Sequence, residues 1–87
     1  VLIGFNCEIL DSDFHDLSPI PDKRKNGKAK MGKVVIENNV FIGSNCSILK
    51  GVTIGENSVI ANSSVVVRSI PPNVIAAGNP CRIVKNL

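Results

Sequence analysis

From residue 36 onward, an aliphatic residue recurs at every sixth position. Ile36, Ile42, Ile48, Ile54, Ile60 and Val66 open the hexads IENNVF, IGSNCS, ILKGVT, IGENSV, IANSSV and VVRSIP. Ile and Val make up about a quarter of the chain, so six such hits in a row arise by chance on the order of once in several thousand frames. A helix cannot use this period, because six residues at about 100° each turn the direction by roughly 240° and scatter the aliphatics over three faces. Strand geometry can. The fifth position of each hexad (Val40, Cys46, Val52, Ser58, Ser64, Ile70) lies two residues before the next opener, so both point to one side. The third position (Asn38, Ser44, Lys50, Glu56, Asn62, Arg68) shares that parity but is polar every time. Inward alternation therefore fails once per hexad and in register. A corner explains it: each hexad is one short strand plus one turn, with Gly43 and Gly55 placed where a Cβ would be awkward.

Short strands joined by corners stack into a parallel β-helix in which each coil buries its neighbour's inner side chains. The expected fold class is all-β. With three hexads to a coil, residues 36–53 and 54–71 make two complete turns; the period alone fixes neither the number of sides nor the handedness. Upstream, Ile3 and Ile9 open two more hexads, IGFNCE and ILDSDF. The next opener would fall on residue 15, where His15, the single histidine, stands instead, and the spacing from Ile9 to Ile36 is no multiple of six. The expected organisation is one domain over 1–87: a coil over 1–14, an inserted loop over 15–33 carrying His15, two coils over 34–71 and an irregular tail over 72–87.

Composition narrows the class of function. Eighty-seven residues make at most one small domain, with three Phe and no Trp or Tyr, so stability should come from stacking or from an oligomer. No apolar run is long enough to span a membrane as a helix, and the cytoplasm is the default compartment. The net charge of +3 is unevenly spread: residues 1–22 hold five acids and no base, whereas KRKNGKAKMGK (23–33) holds six bases and no acid. That cluster lacks the interleaved aromatics on which nucleic-acid bases stack, so it reads as a solvated loop. Cys7, Cys46 and Cys81 lack metal or CxxC spacing and read as small apolar fillers.

The hexads, the motif DSDFH, the RKNG-containing loop, VFIGSNCSILKGVTIGENSVI and above all the tail SIPPNVIAAGNPCRIVK together resemble the hexapeptide-repeat acyltransferases, in their galactoside and maltose O-acetyltransferase-like branch. The resemblance implies a left-handed parallel β-helix, an exception to the right-handed crossover rule. It also implies a homotrimer with acetyl-CoA as co-substrate in the groove between subunits, a sugar hydroxyl as acceptor, and no metal. The family's catalytic histidine falls on His15. Its coenzyme contacts fall on Ser44, Asn62, Val67, Arg68, Arg82 and Lys85. Asn62 and Val67 depart from the small or hydroxyl-bearing residues common at those positions, so only their backbone groups are expected to take over those contacts. The chain starts inside a repeat, and the resemblance implies further coils upstream that hold much of the acceptor surface.

These residue types suit acetyl transfer from a thioester to a hydroxyl. An imidazole titrating near pH 6.5 accepts the hydroxyl proton at neutral pH. A carboxylate or a backbone carbonyl can fix its tautomer, with Asp11, Asp13 and Asp16 as candidates and Asp13 the nearer same-side neighbour. Each of these aspartates, taken singly, reads as a turn residue. No nucleophilic serine or cysteine is needed if the acceptor attacks directly. Ser44 reads as a contact to the thioester, through its backbone N–H as an oxyanion donor. Arg68, Arg82 and Lys85 suit the coenzyme's phosphates and pantetheine arm. Three rivals are weighed against this reading. A zinc enzyme like the γ-class carbonic anhydrases needs three histidines at an interface, and this chain has one. A non-catalytic scaffold fits the repeats but leaves His15 and the basic tail unexplained. Transfer to an amine or an antibiotic hydroxyl fits the same residues.

Overall fold

In the computed structural model, which describes residues 1–12 and 31–87, each hexad contributes a two-residue strand. In chain order these are β1 (Leu2–Ile3), β2 (Glu8–Ile9), β3 (Val35–Ile36), β4 (Phe41–Ile42), β5 (Ser47–Ile48), β6 (Thr53–Ile54), β7 (Val59–Ile60) and β8 (Val65–Val66). Two longer strands follow, β9 (Val74–Ala77) and β10 (Arg82–Asn86). They pair in parallel into three faces: β1-β4-β7-β9, with β10 added antiparallel; β2-β5-β8; and β3-β6. The sides thus number three. Openers stack on openers, Ile42 on Ile60, Ile48 on Val66 and Ile36 on Ile54, each pair eighteen residues apart. The first coil joins the same columns, Ile3 under Ile42 and Ile9 under Ile48.

The second residue of each short strand points in and the first points out. Ile42, Ile48, Ile54, Ile60 and Val66 are fully buried, and so are the fifth-position residues Val40, Cys46, Val52, Ser58 and Ser64. Ile36 is half-buried and packs against that core. Ile3 and Ile9 belong to the same columns but are 44% and 43% exposed, because the described chain lays no coil beneath them. The buried serines are satisfied locally. Ser58 Oγ donates to the Pro71 carbonyl at 2.7 Å and Ser64 Oγ to the Ala61 carbonyl at 2.7 Å. Neither leaves an orphaned hydroxyl, which would cost about 1–3 kcal/mol.

The corners rest on the fourth hexad position. Asn6, Asn39, Asn45, Asn57, Ser63 and Asn73 all hold left-handed backbone at φ 57–62°, and Gly51 does so at 75°. Asn tolerates that region better than most side chains. Three of these asparagines also form a ladder: Asn39 Nδ2 donates to Asn57 Oδ1 at 2.9 Å and Asn57 Nδ2 to Asn73 Oδ1 at 3.0 Å. Gly43 serves a different purpose. A Cβ there would lie 2.7 Å from the Asn62 backbone nitrogen, so its small size permits close stacking of adjacent coils.

Two expectations fail beyond Val66. The last coil closes after sixteen residues rather than eighteen, since Ile70 pairs with Ile54 and Ala76 with Ile60. Ile70 therefore acts as an opener, not as a fifth-position residue, and the hexads resume from it in the new frame. Ser69 closes the shortened corner by accepting the Thr53 N–H on its Oγ at 3.0 Å. Nor is the tail irregular. Val74 and Ala76 enter the core, and β10 returns antiparallel along β9 with a register shift between Ile83 and Lys85.

Candidate active site

The inserted segment springs from the corner between the second and third faces. Ser12 bridges Met31 antiparallel, and the Gly32 N–H donates to the Asp11 carbonyl at 2.8 Å. The Gly51 N–H in turn donates to the Gly32 carbonyl at 3.1 Å, tying the root of the segment to the coil above. A cavity of about 500 Å³ opens here, lined by Ile9, Asp11, Met31, Gly32, Lys33 and Val34. His15, Asp13 and Asp16 lie outside the described residues.

At the other end of the same corner, the turn between β9 and β10 closes over β8. The Val65 N–H donates to the Gly78 carbonyl at 2.9 Å, and the Cys81 N–H donates to the Val65 carbonyl at 2.8 Å. This lays the tail beside the shortened corner and forms a second cleft of about 170 Å³, lined by Val67, Arg68, Pro80, Cys81 and Arg82. Three residues singled out from the sequence thus meet, two guanidinium-bearing side chains beside the apolar Val67. Pro80 and Cys81 escaped that reading, although they directly precede Arg82 in the tail motif. Burial pushes the Cys81 thiol above its ordinary value of 9.0, so at neutral pH it lines the cleft as a neutral group. Lys85 does not line this cleft; it sits further along β10, opposite Ile75.

Ser44 and Asn62 occupy the other edge of the second face, one coil apart. The Ser44 N–H donates to Asn62 Oδ1 at 2.9 Å, and Ser44 Oγ accepts the Phe5 N–H at 3.0 Å. The Ser44 backbone N–H, expected as an oxyanion donor, is thus engaged within the chain, and Asn62 meets Ser44 through its carboxamide. Among the described residues, none accepts the Ser44 hydroxyl proton.

A family model described as bacterial transferase hexapeptide (six repeats) matches residues 33–68, the span of the stacked hexads. The chain belongs to the hexapeptide-repeat transferases. Among its relatives, the galactoside O-acetyltransferase of Escherichia coli K12 is 53% identical over 64 residues, covering 74% of this chain and 32% of that protein. The galactoside O-acetyltransferase of Lactococcus lactis subsp. lactis IL1403 is 44% identical over 87 residues, covering 100% of this chain and 41% of that protein. A solved galactoside acetyltransferase in complex with coenzyme A superposes with a TM-score of 0.89 at 45% identity, over 98% of this chain and 41% of that one. The chain thus spans between 32% and 41% of the length of these relatives.

Proposed function

We propose that the protein is an acetyl-CoA-dependent O-acetyltransferase acting on a carbohydrate hydroxyl, with His15 as general base. The observation that carries this reading is the cleft that gathers Val67, Arg68 and Arg82, in a chain similar to a galactoside acetyltransferase with coenzyme A bound. The two guanidinium groups suit the coenzyme's phosphates, and Val67 with Pro80 suits the flat face of its base. Ser44 reaches the thioester through its hydroxyl, Asn62 holds Ser44 in place, and Lys85 meets the coenzyme from β10.

The acceptor hydroxyl gives its proton to the His15 imidazole as its oxygen bonds to the thioester carbonyl carbon. The resulting oxyanion is met by the Ser44 hydroxyl. Collapse of the tetrahedral centre breaks the carbon–sulfur bond, and the imidazolium returns its proton to the departing coenzyme thiolate. The coils are left-handed, and the working assembly is a cytoplasmic homotrimer. Two features support the trimer. Ser44 and Asn62 lie on one edge of the second face and Arg68, which shares the upper cleft with Arg82, on the other, so a groove between subunits can use both sets. The outer column of the first face is apolar from β1 to β9, with Leu2, Phe41, Val59 and Ile75 in register.

The test assays purified protein with acetyl-CoA and a panel of sugars, reading acetylated product by mass spectrometry. His15→Ala should lower turnover by about 10²–10⁴-fold while coenzyme affinity stays unchanged. Arg82→Ala should raise the KM for acetyl-CoA and spare turnover at saturation. Full turnover by His15→Ala would remove the histidine from the chemistry and leave the coil as a scaffold.

A further inference from the structure

All three cysteines of the chain stand in one file within the coil. Cys7 and Cys46 hold the fifth position of their hexads, and the register of Glu8 on Ser47 sets one directly under the other. The register of Ser47 on Val65 puts Ser64 on the next rung, and the Cys81 thiol meets the Ser64 side chain from beyond it. Ser64 thus parts Cys46 from Cys81, whereas Cys46 and Cys7 occupy adjacent rungs. The inserted segment lies between those two in the sequence, so no short spacing motif marks the pair.

The Cys7 Sγ donates to the Gly43 carbonyl at 3.0 Å, a group of the coil that carries Cys46, so this thiol leans toward its neighbour's rung. The Cys46 Sγ donates in the same sense to the Ala61 carbonyl at 3.1 Å. That carbonyl also accepts the Ser64 hydroxyl at 2.7 Å and keeps a partner when the Cys46 thiol turns away. Burial pushes the Cys46 thiol up, and the adjacent Cys7 thiol adds to the rise. Cys46 is buried and Cys7 half-buried, so an oxidant meets Cys7 first. Among the described residues no three His, Cys, Asp or Glu side chains are placed to hold a metal ion, and two sulfurs fall short of the four donors of a structural zinc site.

We infer that Cys7 and Cys46 form a redox-sensitive staple between the first two coils, open as two thiols and closed as a disulfide. In-register rungs hold their Cα atoms about 4.8 Å apart, within the span of about 4.4–6.8 Å for a disulfide. Their Cβ atoms start about 1 Å beyond the separation of a relaxed bridge. Closing the bond therefore draws the corner of Phe5 and Asn6 toward that of Ser44 and Asn45, and a bridge under such strain is readily reduced. With a peroxide as oxidant, the Cys7 sulfur takes one oxygen as the O–O bond breaks, and the Cys7 proton leaves with the other oxygen as water. The Cys46 sulfur then bonds to the Cys7 sulfur, the S–O bond breaks, and the Cys46 proton leaves with that oxygen as a second water. The two thiols lose two electrons in all, and one peroxide gains them.

Treating the purified protein with hydrogen peroxide tests the pair, read by thiol titration and by peptide mapping without reductant. Free thiols should fall from three to one per chain, with the link joining Cys7 to Cys46 and Cys81 left free. Reduced glutathione should restore all three. Cys46→Ser, which keeps a small hydrogen-bonding group in the file, should give no link within the chain. Three unchanged thiols, a link to Cys81, a bridge between chains, or over-oxidation of Cys7 beside an intact Cys46 each overturn the staple. A Cys7–Cys46 bond that glutathione leaves closed overturns the switch, since the pair is then a permanent brace. None of these readouts depends on acetyl transfer.

Discussion

Truncating Ile54 to Ala tests whether the core is a stack of rigid rungs. The side chain is fully buried between Ile36 below and Ile70 above. Removing three carbons forfeits about 2.4 kcal/mol of transfer free energy at about 0.8 kcal/mol each. The walls cannot fall inward, because the Glu37 N–H donates to the Ile54 carbonyl at 3.0 Å and the Gly55 N–H to the Ile70 carbonyl at 2.8 Å. A void of about 80 Å³, three methylene-sized groups, then adds about 2 kcal/mol at about 24 cal/mol per Å³. The expected cost is about 4 kcal/mol, within the range of about 2–5 kcal/mol for buried aliphatics cut to Ala. Ile3 supplies the internal control. It holds the same inward position but is 44% exposed, so Ile3→Ala forfeits roughly half the transfer term, opens no closed cavity and costs about 1 kcal/mol. Urea unfolding followed by circular dichroism reads both values, with the slope m expected to stay constant. Equal costs at the two sites would refute the rigid-rung argument.

Gly43→Ala should destabilise the coil and weaken coenzyme binding together, since its Cβ would press on Asn62 and disturb the carboxamide that holds Ser44; thermal melts and titration with coenzyme A check both. Burial raises the Cys46 thiol above its ordinary value of 9.0. A group whose folded pKa is raised lends its full stability below the unfolded value and loses it as pH climbs through the folded one. Urea midpoints should therefore hold from pH 7 to about 8.5 and fall above pH 9, less steeply in Cys46→Ala measured against its own neutral value. Phe41→Asp places a charge in the apolar outer column, where Phe41 is 47% exposed; sedimentation should show smaller species than the parent, with an unchanged circular dichroism spectrum.

Most of the wall was legible because its cause is local and repeated. An opener in every hexad, a same-parity partner at the fifth position and a polar third position can each be counted, and the buried residues follow that count through Val66. The recurrent Asn at the fourth position was equally visible in IENNVF, IGSNCS and IGENSV, but its meaning depends on φ, which no spacing reveals. The frame slip was not legible. Ile70 has the parity of Val66 whether it stands fifth in that hexad or opens the next side, so only its pairing with Ile54 decides between the two. The order of the tail is hidden for the same reason: once the frame moves by two, IPPNVI is an ordinary hexad. At the site, residue types named the cations but not their grouping. Arg68 meets Arg82 through the Gly78 and Cys81 backbone contacts to Val65, and Lys85 parts from them along β10.

The reversal at β10 bears on a hazard common to this architecture. Parallel coils in register repeat the arrangement of a cross-β fibril, and an uncovered parallel edge invites another chain to continue it. Here β9 does not offer its free edge. β10 occupies it in the opposite direction, with a bulge between Ile83 and Lys85 and a cation near either end, Arg82 and Lys85. A bulge and inserted charge are features that discourage a further strand from joining. The turn that lays Cys81 on Val65 covers the neighbouring edge in the same stroke. The strand that helps to shape the cleft beside Arg68 is therefore also a stop signal, and deleting it should turn a self-limited stack into a seed for end-to-end polymerisation.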